Sequence, residues 1–299
     1  MLAALDSLGP SEVAAVLEPL RLMAARAPVA ALLPMHLAGS LPVPLRAAVR
    51  PWDESGPPAE DVARLEAAIT IGGHLPCGAL VHSLGRRLEI PQYVAQHGLI
   101  TPFFPPLPED AVLLAWTDED GKAVARASSP PAGAVTVGSQ LLWKAARKSE
   151  GAPGEASRPP VFLGQLHGAE LDRSVTVRTV DRLAREGPLV YRPHPAERDL
   201  LSRLQHRRWA RRGVAFDADP RPLPELDRPV LGIFSTGLLE AAAARRPTWA
   251  ACVQPPKWVE ELWERYSIAR HGAPEPTAPP ELPQKQPASA IAGLVLPRV

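Results

Sequence analysis

Cysteine is nearly missing from this 299-residue chain, which holds only Cys77 and Cys252. Two distant thiols without metal-ligand spacing exclude a disulfide scaffold and a zinc quartet, and they fit reduced cysteines in a cytosolic setting. Charge of one sign is also missing: the formal net charge is +1, so no global field points to nucleic acid or an anionic surface. No apolar run approaches the roughly 20 residues that span a bilayer. The N-terminus lacks the basic stretch, apolar core and cleavage site of a signal peptide. Several chemistries lack their signatures as well. There is no GxxxxGK[ST] phosphate loop of a P-loop NTPase, Gly164–Gly168 is not the GxGxxG turn of dinucleotide binding, no GxSxG elbow marks a hydrolase, and without HExxH no metal is assigned.

What is present is the ordinary make-up of a globular protein, 45% apolar and 22% charged, arranged in a repeating pattern. Short runs rich in Val, Ile, Leu and Ala read as buried strands over 29–34, 68–73, 91–98, 111–117 and 134–139. They alternate with helical periodicity over 11–26, 58–68 and 76–88. Residues 147–160, polar and rich in Gly and Pro, break the pattern and read as a linker. Alternation then resumes, with strands over 160–165, 188–193, 214–217, 228–234 and 247–253. Helices are read over 175–187, 196–213, 236–246, 256–269 and 288–296, after a proline-rich loop over 272–287. Strand–helix alternation with uniformly apolar strands implies parallel sheets covered on both faces. The expected fold class is therefore α/β, with two Rossmann-like domains, residues 1–146 and residues 161–299. Residues 1–67 look one or two strands short, which reads as a truncated first domain.

Open parallel sheets bind ligands outside the carboxyl ends of their strands. Four such ends carry polar clusters: Gln96-His97-Gly98, Gly164-Gln165, Arg192-Pro193-His194-Pro195 and Ser235-Thr236-Gly237. Plain turn chemistry needs only Gly, Pro, Asn or Asp there. Two prolines frame His194, Arg192 offers a planar fork suited to phosphate oxygens, and His194 can donate to the same anion. Ser235 or Thr236 suits a helix cap, and equally an anion held at a helix start. Glu240, four residues after Thr236, shares its helix face and suits either a ribose diol or the helix dipole. Gly98 lets backbone pass close to a ligand, and His97 suits a general base. The acidic Thr117–Lys122 run reads as a surface turn. The basic 198–213 segment reads as an amphipathic helix with a solvated face.

Taken together, the His-Gly strand end, "RPHP" at 192–195 and "FSTGLLEAAAARRPTW" at 234–249 resemble glycosyltransferases of the GT-B architecture, which implies two Rossmann-like domains facing a cleft, with 1–146 on the acceptor side and 161–299 binding the nucleotide donor. More narrowly, the chain resembles bacterial enzymes of surface-polysaccharide assembly, the CDP-glycerol glycerophosphotransferases and the sialyl- and polysialyltransferases. The resemblance implies that Arg192, His194, Ser235 and Thr236 bind the nucleotide phosphates, and that Glu240 holds the ribose. His97 then takes the place of the catalytic base. Glu119-Asp120-Gly121 matches the letters of the sialyltransferase acidic motif, but its turn composition and its place in the chain set it apart.

The implied activity is transfer of a sugar or glycerophosphate-like group from a CMP-, CDP- or UDP-linked donor to a cell-surface glycan or lipid-linked acceptor. Gly164 and Gln165 would border the donor pocket. No cofactor is implied beyond the donor itself, and GT-B enzymes commonly need no metal. The setting implied is cytoplasmic, with room for peripheral association with membrane-bound assembly machinery. Two other readings stay open: a non-catalytic nucleotide-sugar-binding or scaffold protein on a degenerate version of this fold, and an RNA-binding protein using the 198–213 arginines.

Overall fold

The opening Met-Leu-Ala-Ala-Leu run is too short and too uniformly apolar for an amphipathic helix, and it forms strand β1, Leu2–Ala4. The computed structural model describes residues 1–41, 49–52, 62–126, 132–148, 158–217 and 221–296. Strands β2 (Val29–Leu32), β3 (Val49–Trp52) and β4 (Ala68–Thr70) follow, then β5 (Gln92–Ala95), β6 (Ala111–Ala115) and β7 (Gly133–Thr136). They make one parallel seven-stranded sheet in the order β3-β2-β1-β4-β5-β6-β7. Residues 1–67 therefore supply three strands, and the shortfall expected there does not occur. The sequence reading missed β1 because three residues show no period, and β3 because Pro51 interrupts it. Pro51 is tolerated because β3 ends the sheet.

The second sheet contains β8 (Val161–Leu163), β9 (Val190–Arg192), β10 (Ala215–Phe216), β11 (Val230–Gly232) and β12 (Thr248–Ala250). All of its pairs are parallel, in the order β10-β9-β8-β11-β12. In both sheets the strand order reverses once, between β1 and β4 in the first and between β8 and β11 in the second. A crevice opens at such a switch point, because the crossovers on either side lie on opposite faces.

By contacts, the chain divides into one unit of Met1–Ile100, Phe104–Trp143 and Leu282–Val299, and a second of Thr101–Phe103 and Lys144–Glu281. The C-terminal segment thus differs from the sequence reading, which kept it in the second domain. Its helix Pro287–Val295 buries Ile291, Ala292 and Val295 among Leu17, Leu20 and Met23 of the first unit's core. The polar linker falls largely on 149–157, outside the described residues, as do 58–61 of the expected 58–68 helix; of its remainder only Val62 is helical, 63–64 turn, and Ala68 already opens β4.

Helix ends follow local chemistry. Asp172 caps Arg173–Glu186 by accepting from the Ser174 N–H, and Asp199 caps Leu200–Arg211 by accepting from that of Ser202. The acidic 117–122 run is no surface turn. Thr117 caps a helix over Asp118–Ala125, and the three acids occupy its first turn, where the dipole favours them.

Candidate functional site

In the second unit, the loops after β8, β9 and β11 meet at the switch point. Gly164 donates its N–H to the Arg192 carbonyl at 2.8 Å. A Cβ on Gly164 would lie 2.5 Å from the Tyr191 hydroxyl and 2.6 Å from a Glu197 oxygen, so only glycine fits. Gln165 is buried, and its Oε1 accepts from the Phe234 N–H at 3.2 Å, tying the β8 loop to the β11 loop.

Glu197 organises this end of the sheet. Its carboxylate accepts from the Tyr191 hydroxyl, from the Leu166 N–H at 2.9 Å and from the His194 N–H at 3.2 Å. It also stands 2.8 Å from Nε2 of His206. The sequence reading placed Glu197 in the first turn of a helix beginning at 196. The helix begins instead at Leu200, and the freed residue turns inward. Burial, then the Glu197 charge, holds the Tyr191 hydroxyl protonated far above its usual range.

His194 is exposed, with its Nδ1 accepting from the Ala196 N–H at 3.1 Å. Its neutral ring therefore carries the proton on Nε2, as a donor. His167, which sequence reading passed over, lies with its ring centroid 4.9 Å from that of His194. Its Nδ1 likewise accepts a backbone N–H, from Ala169 at 3.3 Å. Partial desolvation lowers the pKa of both rings; at His194 the His167 ring lowers it further and Glu197 opposes, while at His167 Glu197 raises it and the Arg173 charge lowers it. Two Nε2–H donors thus stand together. The signal in sequence was a histidine just past a strand, inside the Gly164–Gly168 segment.

Ser235 is the N-cap of helix Thr236–Ala243, its hydroxyl accepting from the Gly237 N–H. Thr236 opens the helix. The Arg192 guanidinium is already engaged: Nη2 donates to the Arg221 carbonyl at 2.8 Å, and Nη1 faces Asp217 at 3.4 Å. Burial pushes the Glu240 carboxyl up to about 7, against the opposing pull of the Arg192 and Lys148 charges. Arg192 and Glu240, read separately in the sequence, therefore share one electrostatic neighbourhood.

The first unit has its own switch-point cluster. After β1, Asp6 accepts from the Cys77 and Gly78 N–H groups at 2.8 and 3.1 Å, capping helix Pro76–Arg87. Glu12 in turn accepts from the Asp6 and Ser7 N–H groups at 2.6 and 2.8 Å. After β4 comes His74, and after β5 His97, with ring centroids 6.2 Å apart and nearly parallel. Burial, then the His74 ring, drives the His97 pKa down to about 4. Its Nδ1 is buried without a hydrogen-bond partner. Gln96 fixes the loop: its Oε1 accepts from the Trp116 N–H at 2.7 Å, and its Nε2 donates to the Gly98 carbonyl and to buried Asp120. Sequence singled out His97 and missed His74 and Asp6.

Among the described residues no cluster of His, Cys, Asp and Glu is arranged to hold a metal ion.

No protein-family model matches the chain, and no curated protein matches it in sequence. Solved structures do match. The UDP-GlcNAc 2-epimerase of Methanocaldococcus jannaschii, in complex with UDP-GlcNAc and UDP, is 12% identical with a TM-score of 0.56, covering 98% of each chain. Anabaena HepE, in complex with UDP and glucose, is 12% identical with a TM-score of 0.55, covering 98% of this chain and 89% of its own. Both likenesses are of fold. The chain folds as two parallel-sheet α/β domains, the GT-B fold class.

Proposed function

We propose that the protein transfers a sugar or sugar-like group from a nucleotide-activated donor to an acceptor hydroxyl, with the second unit holding the nucleotide. The observation that carries this reading is the pair of Nε2–H donors on His194 and His167, set at the switch point that also holds the capped start of helix Thr236–Ala243. Transfer breaks the bond between the reacting carbon and the leaving phosphate oxygen, and negative charge grows on that oxygen. Neutral N–H donors and a helix start stabilise it where it develops. Ser235 acts mainly by shaping the cap. Arg192 and Glu240 serve the ribose side, with the Arg192 charge keeping Glu240 ionisable near neutrality.

The acceptor hydroxyl attacks the reacting carbon and loses its proton to a general base, the role that the His-Gly resemblance gives to His97. Among CMP-, CDP- and UDP-linked donors, the UDP complexes of the two fold neighbours favour UDP. The acceptor class, a cell-surface glycan or lipid-linked chain, rests on the Arg192–Pro195 resemblance. A second reading, nucleotide-sugar binding without transfer, is favoured by the unpartnered Nδ1 of His97, because a general base is ordinarily oriented through its second nitrogen.

Thermal shift against UDP, CDP, CMP and GDP tests the binding half. UDP is expected to raise the melting midpoint of the wild type and to leave His167→Ala/His194→Ala unshifted. No response of the wild type to any of the four overturns the proposal. A UDP response without sugar release from any UDP-sugar supports the second reading.

A further inference from the structure

We propose that helix Leu200–Arg211 is a docking surface for an anionic lipid membrane. The helix seats itself on the second unit through buried Ser202 and Trp209, with Gln205 and His206 half-buried beside them. Trp209 donates its indole N–H to Asp181 at 2.8 Å, and His206 meets Glu197. This seating is narrow, and it turns the leucines outward: Leu200, Leu201 and Leu204 are 62%, 63% and 50% exposed. At 3.6 residues per turn the three occupy an arc of about 100° on the solvent side. Single exposed leucines are ordinary, but three adjoining on one helix face mark an interaction site.

The same face carries Arg203, Arg207, Arg208 and Arg211, all exposed, with Arg198 just before the helix. None of these five is ion-paired with a described residue, and the neighbouring acid, Asp199, is already bound by Arg173 at 2.7 Å. Leucines flanked by free arginines match a lipid–water boundary, where apolar side chains enter the acyl region and guanidinium groups stay among anionic headgroups. The charge also argues against other occupants. A second copy docked two-fold on this face would set arginines against their own images. An RNA would leave the leucines in water, and among the described residues no exposed aromatic ring on this helix accompanies them for base stacking. The near-zero net charge of the chain hides this local asymmetry.

The test is sedimentation of the full chain with vesicles of phosphatidylcholine alone, or of phosphatidylcholine mixed with phosphatidylglycerol. Binding is expected only to the mixed vesicles, and it should weaken as salt screens the headgroups. Leu200→Ser/Leu201→Ser/Leu204→Ser and, separately, Arg207→Gln/Arg208→Gln/Arg211→Gln should each lower the affinity by about tenfold or more. These side chains are exposed, so both variants should keep the wild-type melting midpoint. The proposal is overturned if the wild type fails to sediment with mixed vesicles, or if the leucine variant binds them as the wild type does. It is equally overturned if, without vesicle binding, the arginines bind RNA or the leucines support a concentration-dependent dimer.

Discussion

The hydroxyl of Tyr191 lies 3.0 Å from each carboxylate oxygen of Glu197, joining the middle of β9 to the loop that leaves it. This contact holds the His194 segment against the sheet from within, since the same carboxylate takes the Leu166 and His194 N–H groups.

Glu197→Ala strands those donors in a buried space and should destabilise the protein by about 3–5 kcal/mol. Glu197→Gln keeps one acceptor oxygen and should lose distinctly less. Urea unfolding of the two variants measures the difference. On the proposed function, both should bind UDP more weakly, because the His194 loop is no longer held.

Gly164→Ala drives a methyl group into the Tyr191 hydroxyl and Glu197, and it should cost on the order of 1–3 kcal/mol. In a Tyr191→Phe background part of that cost should vanish, because one of the two close atoms is gone. A double-mutant cycle on unfolding free energies reads the coupling.

Glu240 and His97 impose opposite pH slopes. Glu240 has a folded pKa of about 7, above its usual carboxyl value, so the folded state holds its proton more tightly. Its contribution to stability is fullest in acid and is lost as pH rises toward 7. His97, at about 4 when folded, instead makes the unfolded state the better proton binder below its ordinary value of 6.5. Stability is therefore lost as pH falls from 6.5 toward 4. Unfolding across pH 4–8 should show Glu240→Gln removing the first slope and His97→Asn the second. If the Glu240 carboxylate holds a ribose diol, UDP affinity should strengthen from pH 6 to 8 in the wild type and stay flat in Glu240→Gln.

His97→Ala should reduce transfer about 100- to 10,000-fold while leaving the UDP dissociation constant unchanged. Calorimetry with UDP and a turnover assay on the same preparation separate the two effects. Unchanged transfer would remove His97 from the mechanism.

Gly78→Ala should be the most damaging single change in the first unit. Its Cβ would come 2.0 Å from the Gly72 carbonyl oxygen, and backbone cannot move aside as a side-chain end can. The variant should lose about 3 kcal/mol or more, measured by its melting midpoint.

The elements best read from sequence were those whose side chains all face one environment. Val161–Leu163 and Ala111–Ala115 are buried on both faces and spell themselves as apolar runs. Leu2–Ala4 is equally buried, but three residues at a chain start carry no period. The polar strand ends were legible because His and Arg are unusual at turns. Their partners were not. Glu197 looked like a helix-start acid, Gln165 like a pocket lining, and Arg192 like a free phosphate fork. Each also meets a residue on a different segment: Tyr191 and Leu166 for Glu197, Phe234 for Gln165, and Asp217 with Arg221 for Arg192.

By itself the sequence determined two series of parallel strands and the edges where their polar residues gather. Parallel strands must be apolar on both faces, and ligand-facing ends must not be. Tertiary structure alone decided which polar groups hold the loops, why the last helix joins the first unit's core, and why three leucines of Leu200–Arg211 face outward. These outcomes depend on contacts between residues far apart in the chain, and local periodicity does not encode which of a helix's apolar residues its neighbours have room to bury.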